Sequence, residues 1–339
     1  MNLEMLKCQR DFKKKLLCVI IDSGISYKKS CNDDVVGGIE LRIDDNRIVS
    51  SPCFFDDTGH GTACYDIIRN ITPYAKFYII KISVDNISNI ILLEEALKFC
   101  AAIDCNIINI SMAVEGTEYL REFAKANKCL RKLRKQNKLV VAAKPNHSAE
   151  GFPSNNKNVI SVPGSNTSNM RSISKIPIRI SRTPQFTSRD NKDFFLFGGN
   201  SKATAQVTGH IINRLVENEV PGCTAWKFVT DNYVCIEQRD GTDASGDIPK
   251  KEALSKDNSL YCQLIAIIAA RSNYSTKEIS VSKNLMDNGI INKNNLVYII
   301  DDLEKTFHLS LIDNNLRFED FKTVAKIAEM IEALRVTAW

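Results

Sequence analysis

The stretch LCVIIDSG at residues 17–24 decides the fold class of this chain, because an uninterrupted apolar run ends there in an acid and a glycine. Such a run is typical of a strand that is buried on both faces, as in a parallel sheet. Asp22 is the last residue of the predicted strand. Functional groups gather at the carboxyl ends of the strands in such sheets, so Asp22 is a candidate site residue.

Similar β-branched runs alternate with segments of helical spacing from Leu16 to about Val220. This alternation predicts an α/β fold, in which helices cover both faces of a parallel sheet. The predicted strands are Leu17–Asp22, Phe77–Ile82, Asn106–Ser111, Leu139–Ala143 and Val159–Val162, and the predicted helices are Gly61–Asn70, Leu92–Ala102 and Glu118–Gln136.

The chain changes character after residue 220. Residues 239–249 form a polar, turn-rich run with the composition of a linker. Helical periodicity then returns at Ser259–Arg271, Leu296–Thr306 and Phe321–Leu334. We therefore predict two domains: an α/β domain over residues 1–250, with a linker at 236–255, and a small all-helical domain over 256–339.

The composition is that of an ordinary globular protein, with 44% apolar and 25% charged residues and a modest net charge of +5. The clearest basic run, Arg131–Lys135, falls in a segment of helical spacing and is interpreted as a solvated helix face. Nucleic-acid binding would need a basic stripe with interleaved aromatic residues, and the sequence has none. We expect no nucleic-acid partner.

The eleven cysteines are scattered and include no CxxC pair, and the charged segment Met1–Lys15 lacks the apolar core of a signal peptide. Buried free thiols in a reducing cytosol explain this pattern better than a secreted disulfide framework. Because no apolar run approaches about 18 residues, no membrane span is predicted. We expect a cytoplasmic protein.

Three short segments supply the parts of a charge relay in the order Asp, His, Ser. Asp22 ends a strand, His60 lies between glycines where a helix begins, and Ser201 follows Gly199-Asn200. A serine hydroxyl needs a base to take its proton, imidazole has a suitable pKa, and a carboxylate orients the imidazole. Of the other histidines, His210 and His308 are expected to be structural.

Residues 16 to about 220 resemble the subtilisin-like (S8 family) serine peptidases, which use the same chain order. The resemblance implies peptide-bond hydrolysis by the triad Asp22, His60 and Ser201, and VVAAKPN at 140–146 matches the family segment whose asparagine, here Asn146, donates to the oxyanion. IINISMA at 107–113 matches the family strand that pairs with substrate, so the expected substrate-binding residues are Ser111, Met112 and Ala113. No cofactor or metal ion is predicted, because no acidic loop is dense enough for a calcium site.

The sequence also departs from the family pattern. Asn200 replaces Thr and Lys202 replaces Met beside the nucleophile, and Pro145 stands where glycine usually precedes the oxyanion asparagine. Ala113-Val114 replaces the usual Gly-Gly of the S1 pocket, which favours small substrate side chains. These changes are compatible with an intact triad, but Lys202 could also disfavour catalysis electrostatically. An active enzyme and a catalytically silent relative both remain open.

Residues 256–338 resemble an acyl or peptidyl carrier domain in the segments DNGIINKNNLVYIIDDLEKTF (287–307) and FEDFKTVAKI (318–327). Carrier domains attach phosphopantetheine to a serine, and this chain has Lys293 after Asn292 at the corresponding position. Lysine has no hydroxyl to accept the arm, so we expect a domain that cannot be loaded. It is either a stabilising helical cap or a recognition module for the peptide substrate, a biosynthetic partner or a second copy.

The leading functional hypothesis is a cytosolic serine endopeptidase that removes the leader of a precursor peptide. Only about 20 residues precede Asp22, too few for an inhibitory prodomain, so the enzyme is expected to fold unaided. A housekeeping intracellular protease fits the peptidase domain equally well. The alternative from another class is a catalytically silent peptide-binding or scaffold protein of the same fold.

Overall fold

The structure is a computed structural model that describes residues 15–82, 86–114, 120–145, 151–162, 176–182, 184–190, 194–237, 259–292, 295–309, 311 and 316–337. Its strands are β1 (Leu16–Asp22), β2 (Val35–Asp44), β3 (Arg47–Ser51), β4 (Ala75–Ile82), β5 (Ile107–Ile110), β6 (Leu139–Ala143), β7 (Ile160–Val162), β8 (Ile176–Ile180), β9 (Gln185–Ser188), β10 (Phe194–Phe197) and β11 (Tyr233–Glu237). Its helices are α1 (Tyr27–Ser30), α2 (His60–Ile71), α3 (Asn86–Ala102), α4 (Leu120–Lys135), α5 (Gly199–Glu217), α6 (Ala225–Asn232), α7 (Leu260–Ala270), α8 (Leu296–Phe307) and α9 (Val324–Thr337).

Seven strands form one sheet in the order β3-β2-β4-β1-β5-β6-β7. All neighbours in this sheet are parallel except the edge pair β2–β3. β1 lies at the centre, with Asp22 opposite Lys81 of β4 and Ile21 opposite Ile110 of β5. The α/β fold class is thereby confirmed, and the central position of β1 explains its unbroken apolar run.

Helices cover both faces of this sheet, because alternate side chains of each strand point to opposite faces. Val19 and Ile21 of β1 belong to a buried cluster with Leu93 and Leu97 of α3 and Leu130 of α4. On the other face, α2 and α5 pack against each other, α2 packs on β1 and α5 on β5 and β6. The helices α2 and α5 begin at His60 and Gly199, so each carries a candidate catalytic residue in its first turn.

A buried hydrogen bond joins α5 to the sheet. The Thr208 hydroxyl donates to Asn109 Oδ1 at 2.9 Å, and both side chains are fully buried. Asn109 Nδ2 donates in turn to the Ser111 hydroxyl at 2.9 Å. Because a buried polar group without a partner is costly, these bonds set the position of α5 along β5.

The sequence analysis missed the antiparallel hairpin β2–β3 at the edge of the sheet. Its two-residue turn is Asp45-Asn46, and both residues have positive φ, 45° and 60°. Asp and Asn tolerate this left-handed conformation better than other non-glycine residues, and two such residues form the turn type that matches strand twist. The Asp-Asn pair was therefore an available turn signal.

Short strands elsewhere in the chain were also missed. β8 and β11 form a two-stranded parallel sheet, and β9 and β10 form an antiparallel hairpin. β8 contains Pro177, which argued against a strand. Each of these four strands has only four or five residues, too few for a clear period-2 pattern.

The chain divides into two compact units. The first consists of Met1–Arg182 and Gly198–Gln238, and the second of Thr183–Phe197 and Arg239–Trp339. The predicted boundary near residue 250 puts the β9–β10 hairpin in the peptidase domain, whereas the structure groups it with the helical unit. The physical reason is apolar contact: Leu196 is buried in the core of the helical unit, and Phe186 packs against that core.

The helical unit contains α7, α8 and α9 around one apolar core. The third predicted helix, Phe321–Leu334, differs at its start. Phe318–Phe321 is a 3₁₀ turn, and the α-helix begins at Val324. Lys293 lies outside the described residues, so the carrier-like interpretation stays a prediction.

The described cysteines form no disulfide: nine have free thiols. Cys18, Cys64, Cys100 and Cys105 are buried, but Cys31, Cys53 and Cys223 are exposed, which departs from the prediction of buried thiols. In the part of the chain that the structure describes, no helix is long and apolar enough to cross a membrane.

We predict that Thr208→Val lowers the free energy of unfolding by about 1–3 kcal/mol, because Asn109 Oδ1 loses its buried donor while the side-chain volume is kept. Denaturant unfolding measures the change. The control is Thr224→Val at an exposed position, expected to stay within about 0.5 kcal/mol of the wild type. Equal stability of Thr208→Val and wild type would contradict this role.

Candidate active site

The best-defined part of the site is the pair Asp22–His60. Asp22 is 1% exposed, and its Oδ1 lies 2.8 Å from Nδ1 of His60. The Ser23 main-chain N–H also donates to Oδ1 at 2.8 Å, and the Cys64 thiol lies 3.6 Å from Oδ2. The His60 side chain keeps 27% of its surface exposed. A carboxylate held in this way fixes the orientation of the imidazole.

Two glycines allow this close approach of α2 to the end of β1. A Cβ on Gly61 would lie 2.3 Å from the Gly24 carbonyl oxygen and 3.1 Å from Cβ of Asp22. Gly24 has φ +115°, and a Cβ there would lie 2.7 Å from the Phe54 carbonyl oxygen. No side chain fits at either position, so packing requires the glycine next to His60.

The environment of His60 changes its pKa. Burial alone would lower the pKa of the imidazole, but the adjacent Asp22 carboxylate, with a smaller contribution from Cys64, raises it well above its usual value. Burial and the Asp22 charge both raise the pKa of the Cys64 thiol, to about 11. Cys64 is therefore a neutral thiol at physiological pH, and the Asp22 carboxylate favours the imidazolium form that His60 adopts when it accepts a proton.

A second buried acid, Asp56, organises the turn that carries His60. Its carboxylate accepts hydrogen bonds from Gly59 N (2.7 Å), Thr58 N (3.0 Å) and Thr62 N (2.8 Å), and from the Thr62 hydroxyl. The Ser23 hydroxyl also donates to Asp56, at 2.8 Å. Asp56 thus joins the start of α2 to the residue that follows Asp22, as an anion suits a helix N-terminus.

The sequence analysis missed Asp56, Ser23 and Cys64. A signal for Asp56 was present, because the run Asp-Asp-Thr-Gly at residues 56–59, just before a helix, is typical of a capping turn. Ser23 gave no signal of its own. Its hydroxyl accepts from Gly61 N at 2.9 Å, a contact set by the tertiary approach of α2 to β1.

Ser201 lies in the first turn of α5, beside the end of β5. Its hydroxyl donates to the main-chain carbonyl of Ser111 at 2.8 Å, and the Ser111 hydroxyl lies 3.3 Å from the Ser201 carbonyl. To give its proton to His60, the Ser201 hydroxyl must leave the Ser111 carbonyl. Catalytic hydrogen bonds are often looser without substrate, so the triad stays a prediction.

The predicted oxyanion residue, Asn146, lies outside the described residues, but the two residues before it are described. Asn200 donates from Nδ2 to the carbonyls of Lys144 (3.0 Å) and Pro145 (2.9 Å). Asn200 is 3% exposed. This departure from the family pattern therefore ties the turn before Ser201 to the segment before Asn146. Lys202, another departure, is buried.

The predicted substrate-binding residues follow β5 directly. Ser111 is buried, and Met112 and Ala113 are half-buried. The next residue, Val114, exchanges main-chain hydrogen bonds of 2.8 and 2.9 Å with Phe152 in an antiparallel bridge. The segment after β5 thus continues beyond the sheet as far as its bridge with Phe152. Its pairing with a substrate stays a prediction.

One group of side chains among the described residues could hold a metal ion. One ligand atom each from Asp22, His60 and Cys64 lies within 4.8 Å of the others. Carboxylate, imidazole and thiolate together suit a soft or borderline ion such as Zn²⁺. The same atoms serve the Asp22–His60 hydrogen bond, so such an ion would compete with the charge relay. The prediction that no metal is required stays untested.

We predict that Asp56→Ala destabilises the fold by about 2–4 kcal/mol, because four main-chain and side-chain donors at the start of α2 lose a buried anionic acceptor. The neighbouring Asp57→Ala is the matched control. Asp57 is 77% exposed and pairs with Lys81, so its loss is worth about 0–1 kcal/mol. Chemical denaturation measures the free energy of unfolding of both variants. An equal loss of stability in Asp56→Ala and Asp57→Ala would contradict the role of Asp56.

The sequence matches no protein-family model and no curated protein. Among solved structures, the chain is similar to the nisin leader peptidase NisP from Lactococcus lactis, with a TM-score of 0.50 and 17% identity over 66% of this chain and 84% of that one. A lanthipeptide protease aligns with a TM-score of 0.48 and 18% identity over 64% of this chain and 78% of that one. Sequence identities this low support a conclusion about the fold alone. The described seven-stranded sheet of the first unit, with helices on both faces, therefore has a subtilisin-like α/β fold.

Proposed function

We propose that this protein is a serine endopeptidase that hydrolyses peptide bonds through Asp22, His60 and Ser201. The observation that carries the proposal is the hydrogen bond of 2.8 Å between Asp22 and His60, made where β1 ends and α2 begins. The order and placement of these groups also match the chain order of the subtilisin-like peptidases. Ser201 lies in the first turn of the neighbouring helix α5, on the same face of the sheet as α2.

The chemistry divides among these residues as follows. His60 Nε2 takes the Ser201 hydroxyl proton while Oγ attacks the substrate carbonyl carbon, and Asp22 holds the Nδ1 proton and stabilises the imidazolium. His60 then protonates the leaving amine, and water hydrolyses the acyl-enzyme by the same route. Asn146 is proposed to donate to the oxyanion, a contribution typically worth about 10²–10³ in rate.

Substrate is proposed to bind in an extended conformation along Ser111, Met112 and Ala113. An added strand supplies main-chain hydrogen bonds, and side-chain pockets then give specificity. When a substrate N–H donates to the Ser111 carbonyl, it takes the place of the Ser201 hydroxyl. Substrate binding would therefore release Ser201 toward His60.

We propose a precursor peptide as the natural substrate, cleaved between leader and core. The support is the likeness in fold to a peptidase named for the nisin leader. The second unit, residues 256–339 in particular, is proposed as a carrier-like recognition module for that peptide or for a biosynthetic protein partner. With Lys293 at the attachment position, it would carry no phosphopantetheine arm. Nine free thiols support a reducing, cytoplasmic location.

A catalytically silent peptide-binding protein is the second candidate. One observation favours it: the Ser201 hydroxyl donates to the Ser111 carbonyl. In a binding protein that contact would persist, and the groove along residues 111–113 would hold a peptide without cutting it. Housekeeping proteolysis is the alternative substrate class for an active enzyme.

We predict that a fluorophosphonate probe labels Ser201 covalently, since the probe reports an activated serine without knowledge of the substrate. Labelling should fall by about 10³-fold or more in Ser201→Ala and His60→Ala. Ser50→Ala, at an exposed position of β3, is the matched serine control and should still be labelled at Ser201. Intact-mass spectrometry with peptide mapping measures the adduct. An unlabelled, folded wild type that cleaves no peptide would contradict the proposal and favour the binding protein.

A further inference from the structure

The β9–β10 hairpin has an unusual place in the chain. It leaves the first unit after Arg182, belongs to the second unit from Thr183 to Phe197, and returns at Gly198. Ser201 is only four residues beyond Phe197. The strand β10 therefore leads directly into the turn at residues 198–200 that precedes Ser201.

The hairpin is held firmly inside the helical unit. Phe186 makes edge-to-face contacts with Phe318 and Phe321, with ring centroids 5.0 and 6.1 Å apart. Leu196 is buried in the helical core, and its main-chain N–H donates to the Leu316 carbonyl at 2.6 Å. Two apolar anchors and a main-chain hydrogen bond thus set where β10 ends.

The two ends of the hairpin are tied together within the first unit. Gly199 N donates to the Arg182 carbonyl at 2.9 Å, and Arg182 Nε donates to Asn200 Oδ1 at 2.6 Å. Gly199 has φ +58°, a conformation that brings the chain sharply into α5. The residue beside the nucleophile therefore receives a charge-assisted hydrogen bond from the residue that enters the hairpin.

Asn200 also binds a third segment of the chain, residues 144–145. Both of its amide hydrogens are used, one on the Lys144 carbonyl and one on the Pro145 carbonyl. Pro145 is itself confined, since a Cβ on Gly151 would lie only 2.3 Å from the Pro145 ring. An amide offers two donors and one acceptor. A threonine hydroxyl offers a single donor and could not make these three contacts.

We propose that Asn200 is a positioning residue, and that the helical unit uses the hairpin, Arg182 and Asn200 to set Ser201 against the segment that leads to residue 146. This gives the second unit a part in catalysis beyond recognition of a partner. The proposal deepens the proposed function, because its kinetic readout is acylation of Ser201. Asn200 acts on kcat, since misplacement of a nucleophile by about 1 Å can cost about 10²-fold.

The central variant is Asn200→Asp, which keeps the size of the side chain and an acceptor for Arg182. It replaces both donors by an acceptor that repels the Lys144 and Pro145 carbonyls. We expect kcat for a peptide substrate to fall about 10–100-fold with KM changed less than about threefold. Asn200→Gln, which keeps the amide, should recover part of the rate.

Phe186→Ala tests the route through the hairpin, and Phe194→Ala is its matched control, because Phe194 is 45% exposed on the same hairpin. We expect Ser201 acylation to slow about tenfold in Phe186→Ala and to stay within twofold of wild type in Phe194→Ala. If Phe186→Ala fails to fold, Phe186→Leu replaces it in the same acylation measurement. Phe186→Ala should slow Ser201 acylation less in the Asn200→Asp background than in the wild type, because both substitutions act on the same turn.

Backbone hydrogen exchange of the full chain gives a readout that needs no activity. We expect faster exchange in peptides covering residues 144–145 and 198–204 for Asn200→Asp and Phe186→Ala, and unchanged exchange for Phe194→Ala. The proposal is overturned if Asn200→Asp acylates and exchanges like wild type, if its loss lies in KM alone, or if Phe186→Ala matches Phe194→Ala. A wild type that is never acylated removes the proposed function, and the exchange data then decide the positioning proposal alone.

Discussion

The contact on which the rest of the site depends is the hydrogen bond between Asp22 and His60. It exists because β1 is the central strand of a parallel sheet and because α2 begins against the end of that strand. Gly61 and Gly24 leave room for the approach, and Asp56 collects the main-chain donors of the turn. A buried carboxylate is costly unless it is hydrogen-bonded, so this surrounding network is a condition for the pair.

Sequence reasoning reached the fold class and the contact between Asp22 and His60. It did so because parallel strand ends and helix N-termini meet at one edge of a sheet, and this edge can be located from apolar runs and glycines. It could not reach Asp56 as the acceptor of five hydrogen bonds or Asn200 as a link to residues 144 and 145. The Asn200 contacts and the bond from Ser23 to Asp56 join distant parts of the chain, where no periodicity guides the prediction. The other bonds to Asp56 are local to the turn before α2, where the Asp-Thr-Gly composition was the available signal.

The division of the chain shows the same limit. Residues 184–197 directly precede Ser201 and were predicted to belong to the α/β domain, yet Phe186 and Leu196 pack with helices more than 60 residues later in the chain. Tertiary packing overrides sequence proximity here. As a result, the second unit is joined to the first at the turn before Ser201 as well as through the linker.

The most direct measurement is the NMR titration of the His60 imidazole in the full chain, with the His60 signal assigned by its loss in His60→Ala. The account predicts a His60 pKa well above 6.5 in the wild type, because the Asp22 charge outweighs burial. In Asp22→Asn that charge is gone and burial should bring the pKa below its usual value. In the wild type, where the pKa is raised, protonation of His60 stabilises the fold at low pH. This contribution is lost as the pH rises through the folded-state pKa of His60. An ordinary pKa that is the same in both proteins would contradict the account.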